Sequence, residues 1–291
     1  DWILEEAVIS KELEYPPIET QGLFDRAVRA SKRHGTKYHL FDAHYQYAWA
    51  SYWWYEDMAL FEEHLLESIE VAKDLEQSGK WGDVVSLLGL YSGYYRGNNE
   101  KLQNVVAPIQ AEIKEILFKQ SLKDERPSNS LMSRAYIELI NLHAIENINE
   151  ASDIFSSLLL VIKESSYLVG FPFNELYSLV TELDGVFGDI ASYEVLLDYF
   201  TERASSRDGE AKGSLLWLKR GARRLESGEP YQAIKLIGKS LTGLYKKETK
   251  KDLYAALNIL GISRRKKAII KEWYEISSIV EKRKEKTRGG G

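Results

Sequence analysis

The stretch GEPYQAIKLIGKSL, Gly228 to Leu241, admits two readings that lead to different proteins. Ala233 to Ser240 fits a loosened phosphate-loop pattern: a small residue, four of any kind, then Gly-Lys-Ser. A working phosphate loop needs a strand, then a glycine-rich turn whose N–H groups face the phosphates, then a helix. Here the preceding residues, SGEPYQ, read as a turn followed by a helix start, and Pro230 suits the first turn of that helix. Ile234, Leu236, Ile237 and Leu241 then supply one apolar face. The stretch is therefore expected to be one helix of a helical repeat, with Lys239 on its surface and Ser240 between helices.

Working outward, helical periodicity runs through most of the chain. Phe61, Leu65, Ile69 and Ala72 recur at spacings of three and four, as do Leu102, Val105, Val106, Ile109, Ile113 and Ile116. Pro108 lies inside the second run and predicts a kink or break there. Breaks are expected at Tyr15–Pro17, Gly79, Gly97-Asn98, Asp124–Ser130, Gly170–Pro172, Gly188, Asp208-Gly209, Gly228 and Ile262–Arg264. Few prolines and little Val-Thr alternation argue against a β protein.

Antiparallel helix pairs at near-regular spacing suggest a repeat. The two clearest copies are Ser214–Lys247 and Lys250–Arg283. The first carries Trp217, Gly221, Gly228 and Ala233, the last three of which correspond to Ala256, Ser263 and Ala268 in the second, and their Ala-Ile pairs lie 35 residues apart. This arrangement resembles the tetratricopeptide repeat family, a helix-turn-helix unit of about 34 residues. That family has an aromatic residue, a small residue where the helices touch, a turn glycine and an alanine early in the second helix. GNNEKL (Gly97 to Leu102) keeps the turn, and FDAHYQYAWASYWWYEDMALFEE keeps Ala59 but lacks the turn glycine. Ala151 and Val195 mark further second-helix starts.

The resemblance implies a right-handed all-α solenoid of about seven antiparallel helix pairs. It divides into irregular repeats over 1–125, middle repeats over 126–212, and tetratricopeptide-like repeats with a capping helix over 213–288. Irregular repeats of this kind are also similar to the sensor arrays of bacterial signal-transducing NTPases, antiphage defence proteins among them. The chain starts at Asp1 and ends in RGGG, so it is expected to be a piece of a longer protein.

Cysteine is absent, which excludes disulfides and thiolate zinc sites and agrees with a reducing compartment. No apolar run approaches the roughly 20 residues of a membrane span, and no signal peptide is visible. A cytoplasmic protein without a membrane partner is expected. Charge is uneven. Residues 210–291 hold 21 Lys and Arg against 9 Asp and Glu, leaving 18 against 35 in 1–209.

Chemistry at single residues is sparse. His34, His39 and His44 are too far apart around a helix to share a metal ion. Arg29 with His34, or Arg33 with His39, resembles the ribonuclease motif of helical HEPN domains, which is one alternative function. No nucleophile-base arrangement or dinucleotide loop can be singled out, so no catalytic residue, cofactor or metal is expected.

A partner-binding surface is the better candidate. In tetratricopeptide arrays the first helix of each pair lines a concave groove. Carrying that phase along the chain places Phe41, His44, Tyr52, Tyr91, Tyr94, Tyr95 and Tyr177 on the groove. Aromatic side chains of this kind anchor protein or peptide partners. Lys246, Lys247, Arg264, Arg265, Lys266 and Lys267 form a possible anionic-partner face, and nucleic-acid binding there is the other alternative.

Overall fold

The computed structural model describes residues 2–75, 79–123, 125–145, 147–168, 170–188, 190–246, 256–262 and Arg265. Among them no strand occurs, and the fold is all-α. The chain divides into two units, 1–183 and 184–291.

Unit 1 contains α1 (Trp2–Glu12), α2 (Pro17–His34), α3 (Lys37–Trp53), α4 (Met58–Lys73) and α5 (Gly79–Tyr94). The short α6 (Asn99–Lys101) runs through a π-helical turn, Leu102–Val106, into α7 (Ala107–Ser121). Then come α8 (Pro127–Ala144), α9 (Ala151–Glu164) and α10 (Phe173–Glu182). The π turn answers the expectation raised by Pro108. A proline has no N–H to give Asn104 its α-helical bond, and the backbone widens one turn earlier, where the Ala107 N–H reaches back five residues to the Leu102 carbonyl.

The other boundaries follow local chemistry. Pro17 opens α2. Gly35 ends it, and Thr36 starts α3 with a capping box in which the His39 Nδ1 accepts from the Thr36 N–H at 3.2 Å. Asp57 caps α4 by accepting from the N–H groups of Ala59 and Leu60.

Packing in unit 1 runs mostly between consecutive helices, α1 on α2, α2 on α3, α3 on α4, α7 on α8 and α8 on α9. Longer-range contacts join α5 to α3, α8 and α10. Its core is rich in rings: Phe24, Phe41, Phe61, Trp81, Tyr91, Tyr136 and Phe155 are fully buried. Each such ring removes some 150–250 Å² from water, so a handful of them dominates the apolar driving force.

Unit 2 contains α11 (Asp184–Phe187), α12 (Ala191–Asp208), α13 (Glu210–Glu226) and α14 (Pro230–Lys246), followed by helical residues 256–262. The α13–α14 hairpin is the pair on which the repeat resemblance rests. Gly228 makes its turn at φ +82°, and a Cβ on Gly221 would lie 2.5 Å from Ile237 Cγ1 and 3.3 Å from the Ala233 carbonyl. Small residues thus stand where the two helices approach most closely. Ala256 joins the core formed by Leu218, Leu225, Ala233, Ile237 and Leu244. Two buried arginines tie α12 to α13: Arg220 donates to Asp198 at 2.9 Å and Glu194 at 2.7 Å, and Arg224 to Glu194 at 2.5 Å and Glu229 at 2.8 Å.

The two compact units divide at Leu183/Asp184. Because α8 packs on α5 and α7, the polar segment before it is a turn within unit 1, and because α12 packs on α13, the Gly209 break is internal to unit 2.

Candidate functional site

α3 carries an aromatic residue at every fourth position along one row, Phe41, Tyr45, Trp49 and Trp53. Four residues advance a helix by about 6 Å and return nearly to the same face. Successive ring centroids are each 6.2 Å apart, Phe41 stacked on Tyr45 and the next two pairs tilted. Burial falls along the row: Phe41 is sealed in the core, Tyr45 and Trp49 are half-buried, and Trp53 is 53% exposed.

The row continues sideways through ring contacts onto α4 and α5. Trp53 meets Tyr52 at 4.9 Å, Tyr52 meets Phe61 at 5.5 Å, and Phe61 meets Tyr91 at 5.8 Å. Tyr91 then meets Tyr95 at 5.2 Å, and Tyr95 meets Tyr94, 52% exposed, at 5.0 Å. A continuous chain of rings therefore runs from the core to two open ends.

The sequence that carries most of these rings is acidic. Residues 41–63 contain Asp42, Glu56, Asp57, Glu62 and Glu63 and no Lys or Arg. Burial, reinforced by the nearby Glu62 carboxylate, raises the Tyr91 hydroxyl pKa. Cations of the chain itself already sit on aromatic faces here. Lys80 from α5 lies 5.0 Å from the Phe41 centroid while its Nζ donates to Asp42 at 2.5 Å, and the Lys11 Nζ lies 4.1 Å from the Trp54 centroid.

The expected groove residues divide. Tyr52 and Tyr95 are half-exposed and Tyr94 is open. Phe41, His44, Tyr91 and Tyr177, also expected on the groove, are buried. The reason is packing: the α3 row through Phe41, His44 and Ala48 faces α4 and α5, and its small residue marks a helix contact and not a groove. Trp53, absent from the expected set, is the open end of the α3 row, with Tyr45 and Trp49 half-buried behind it. Their four-residue spacing marks one side of α3 but carries no sign of whether that side is covered.

His44 is paired with His64, Nδ1 to Nδ1 at 2.9 Å, and the His64 ring stacks on Tyr47 at 4.1 Å. His34 ends α2 and His39 caps α3, so the break at Gly35 puts Arg33 and His39 on different helices. A second polar cluster joins α3, α5, α8 and α10. Tyr136 donates to Glu175 at 2.5 Å, and a Cβ on Gly82 would lie 2.6 Å from Glu175 Oε1. Burial raises the pKa of both Glu175 and Asp83, against the pull of Lys80. Among the described residues no three His, Asp or Glu side chains are placed to hold one metal ion.

The phosphate-loop candidate lies wholly in α14. Lys239 Nζ rests 4.0 Å from the Trp217 centroid, and the buried Ser240 hydroxyl donates to the Ile237 carbonyl at 2.7 Å. Of the basic-face residues, Arg265 is exposed and Lys246 ends α14, while Lys247, Arg264, Lys266 and Lys267 lie outside the described residues. No helix among the described residues is long and apolar enough to cross a membrane. Comparison of the chain with protein-family models, with curated proteins and with solved structures finds no match.

Proposed function

We propose that this chain is a non-catalytic protein-interaction module, a tetratricopeptide-like α-solenoid of about seven helix pairs, that takes a partner segment on the aromatic face of unit 1. The observation that carries this reading is the chain of rings from Phe41 to Tyr94, which opens at Trp53 and Tyr94. Exposed Trp and Tyr bury large area at small entropic cost when a partner covers them, and soluble chains seldom leave them grouped on the surface without use. The solenoid part is supported by packing between consecutive helices and by the small-residue contact of Gly221 with Ile237 and Ala233. In a larger cytoplasmic protein such a module would serve as a sensor beside an enzymatic part. Nucleic acid is disfavoured here, because residues 41–63 hold five carboxylates and no Lys or Arg.

The test is a selection from a random peptide display library on the whole chain. Peptides so selected are expected to lose about tenfold or more in affinity for a Trp53→Ala/Tyr94→Ala variant. Selected peptides that bind wild type and variant alike would sink the aromatic face as the site.

A further inference from the structure

The polar cluster that joins α3, α5, α8 and α10 holds more negative charge than it pairs. Three carboxylates, Asp42 on α3, Asp83 on α5 and Glu175 on α10, share one lysine, Lys80. The Lys80 Nζ lies 2.5 Å from Asp42 and 3.5 Å from Asp83, which commits its charge to those two. Glu175 is left with the Tyr136 hydroxyl, which donates to it at 2.5 Å and brings no charge. Among the described residues, the charged and titratable groups acting on Glu175 are Asp83 and Lys80 from α5 and Tyr136 from α8. Asp42 of α3 is joined to them through Lys80.

The seat of this carboxyl is made by missing side chains. A Cβ on Gly79 would lie 3.5 Å from Glu175 Oε2, and one on Gly82 would lie 2.6 Å from Oε1. The carboxyl therefore rests against the α5 backbone. Burial is the largest influence on it and raises its pKa, Asp83 adds to that, and Tyr136 and Lys80 oppose it. Asp83 is raised by burial too, with Asp42 adding and Lys80 opposing. α10 is the last helix of unit 1, ending at Glu182 beside the boundary at Leu183. It packs on α5 and α8, so the Glu175–Tyr136 bond lies within the contact that holds it.

We propose that Glu175 makes α10 a proton-dependent clasp, held on α5 and α8 while the cluster keeps a proton and opening locally more often once Glu175 and Asp83 are both ionised. When α10 opens, Glu175 meets water and returns to an ordinary carboxyl, with a pKa of about 4.3. The closed form keeps its proton to higher pH. Closure is therefore strongest below about pH 4 and weakens as pH rises through the raised values. His44, His64 and His143, whose pKa values are lowered, act in the opposite sense and on the whole fold.

The experiment is amide hydrogen exchange on the whole chain, read by mass spectrometry from about pH 4.5 to about pH 8 and corrected for the intrinsic rate. Wild type is compared at each pH with Glu175→Gln, whose amide oxygen still accepts from Tyr136 without the charge. This comparison cancels the histidine contribution. The protection of α10 in the variant, relative to wild type, is expected to grow about fivefold or more across that range, while that of α9 stays level. Tyr136→Phe, which removes the bond and keeps the charges, is expected to lower α10 protection at every pH. Asp83→Asn is expected to remove part of the pH dependence, and it replaces Glu175→Gln if near-ultraviolet circular dichroism shows that variant unfolded.

A variant-to-wild-type ratio that stays constant with pH would overturn the clasp. Equal growth of the ratio in α9 would make Glu175 a linkage of the whole fold and overturn the local opening. Tyr136→Phe with unchanged α10 protection would overturn the hydroxyl as the group that closes it.

Discussion

His44 and His64 sit Nδ1 to Nδ1 at 2.9 Å inside unit 1, so one ring donates the proton and the other accepts it. Burial lowers the pKa of each to about 4, aided at His44 by the charge His64 would acquire. Lys32 acts on His44 in the same direction, while Glu67 beside His44 and Asp25 beside His64 oppose the shift. Desolvation likewise holds half-buried His143 at about 4. A histidine with a folded pKa below its unfolded value of about 6.5 favours the folded state only while neutral. The unfolded chain therefore takes up protons first, and stability falls as pH drops from about 6.5 to about 4, by at most roughly 3 kcal/mol per imidazole. Urea denaturation at a series of pH values is expected to show this loss in wild type and a shallower one in His44→Leu/His64→Leu. Equal slopes would mean that the pair carries no such linkage. At Gly221 the argument is steric. A methyl group there would meet Ile237 Cγ1 at 2.5 Å, so Gly221→Ala is expected to lower stability by about 1–3 kcal/mol in urea, despite alanine's better helix propensity.

At the scale of elements, the α3–α4 pair shows both what was legible and what was not. Ala59 and the apolar stripe from Phe61 to Ala72 were enough to place a second helix, yet the segment lacked the glycine expected at the turn. The structure makes that turn with Glu56 at φ +51°, a left-handed conformation that costs a non-glycine residue about 1–2 kcal/mol, and hands the chain to Asp57 as the cap. Glu56→Gly is therefore expected to leave stability unchanged or raise it by up to about 1 kcal/mol, since glycine's greater unfolded entropy offsets part of the relief. A lower unfolding midpoint would show that the Glu56 side chain contributes contacts worth more than its strain. The phase of the aromatic face was not legible for a related reason. α3 carries rings or alanines on nearly every side, so periodicity alone could not separate the buried row of His44 and Ala48 from the row that opens at Trp53. Only the neighbours, α4 and α5, decide which row is covered. By contrast, α13 and α14 have apolar residues confined to one side and a glycine at the turn, and there the sequence-level reading and the structure agree.

For the whole molecule, breaks in helical periodicity located turns but carried no information on which turns separate domains. The segment around Arg126 and the one at Gly209 look alike to composition, yet helices on both sides of each pack together, whereas the division falls at Leu183. That division has a consequence for folding. The ring-rich core, the His44–His64 pair, the Tyr136–Glu175 bond and the aromatic row all lie within residues 1–183. A segment of that length is large enough to bury a core of its own, and the residues named in those contacts all belong to it. Residues 1–183 expressed alone are therefore expected to fold, with the near-ultraviolet circular dichroism of packed tryptophan and tyrosine and a single cooperative urea transition. Display-selected peptides that bind the whole chain are expected to bind this fragment with the same affinity, because the aromatic row lies wholly within it. A fragment that keeps helical signal but unfolds without cooperativity, as loosely packed states do, would mean that unit 1 draws its side-chain order from unit 2. The aromatic row would then be a surface whose geometry depends on the rest of the chain.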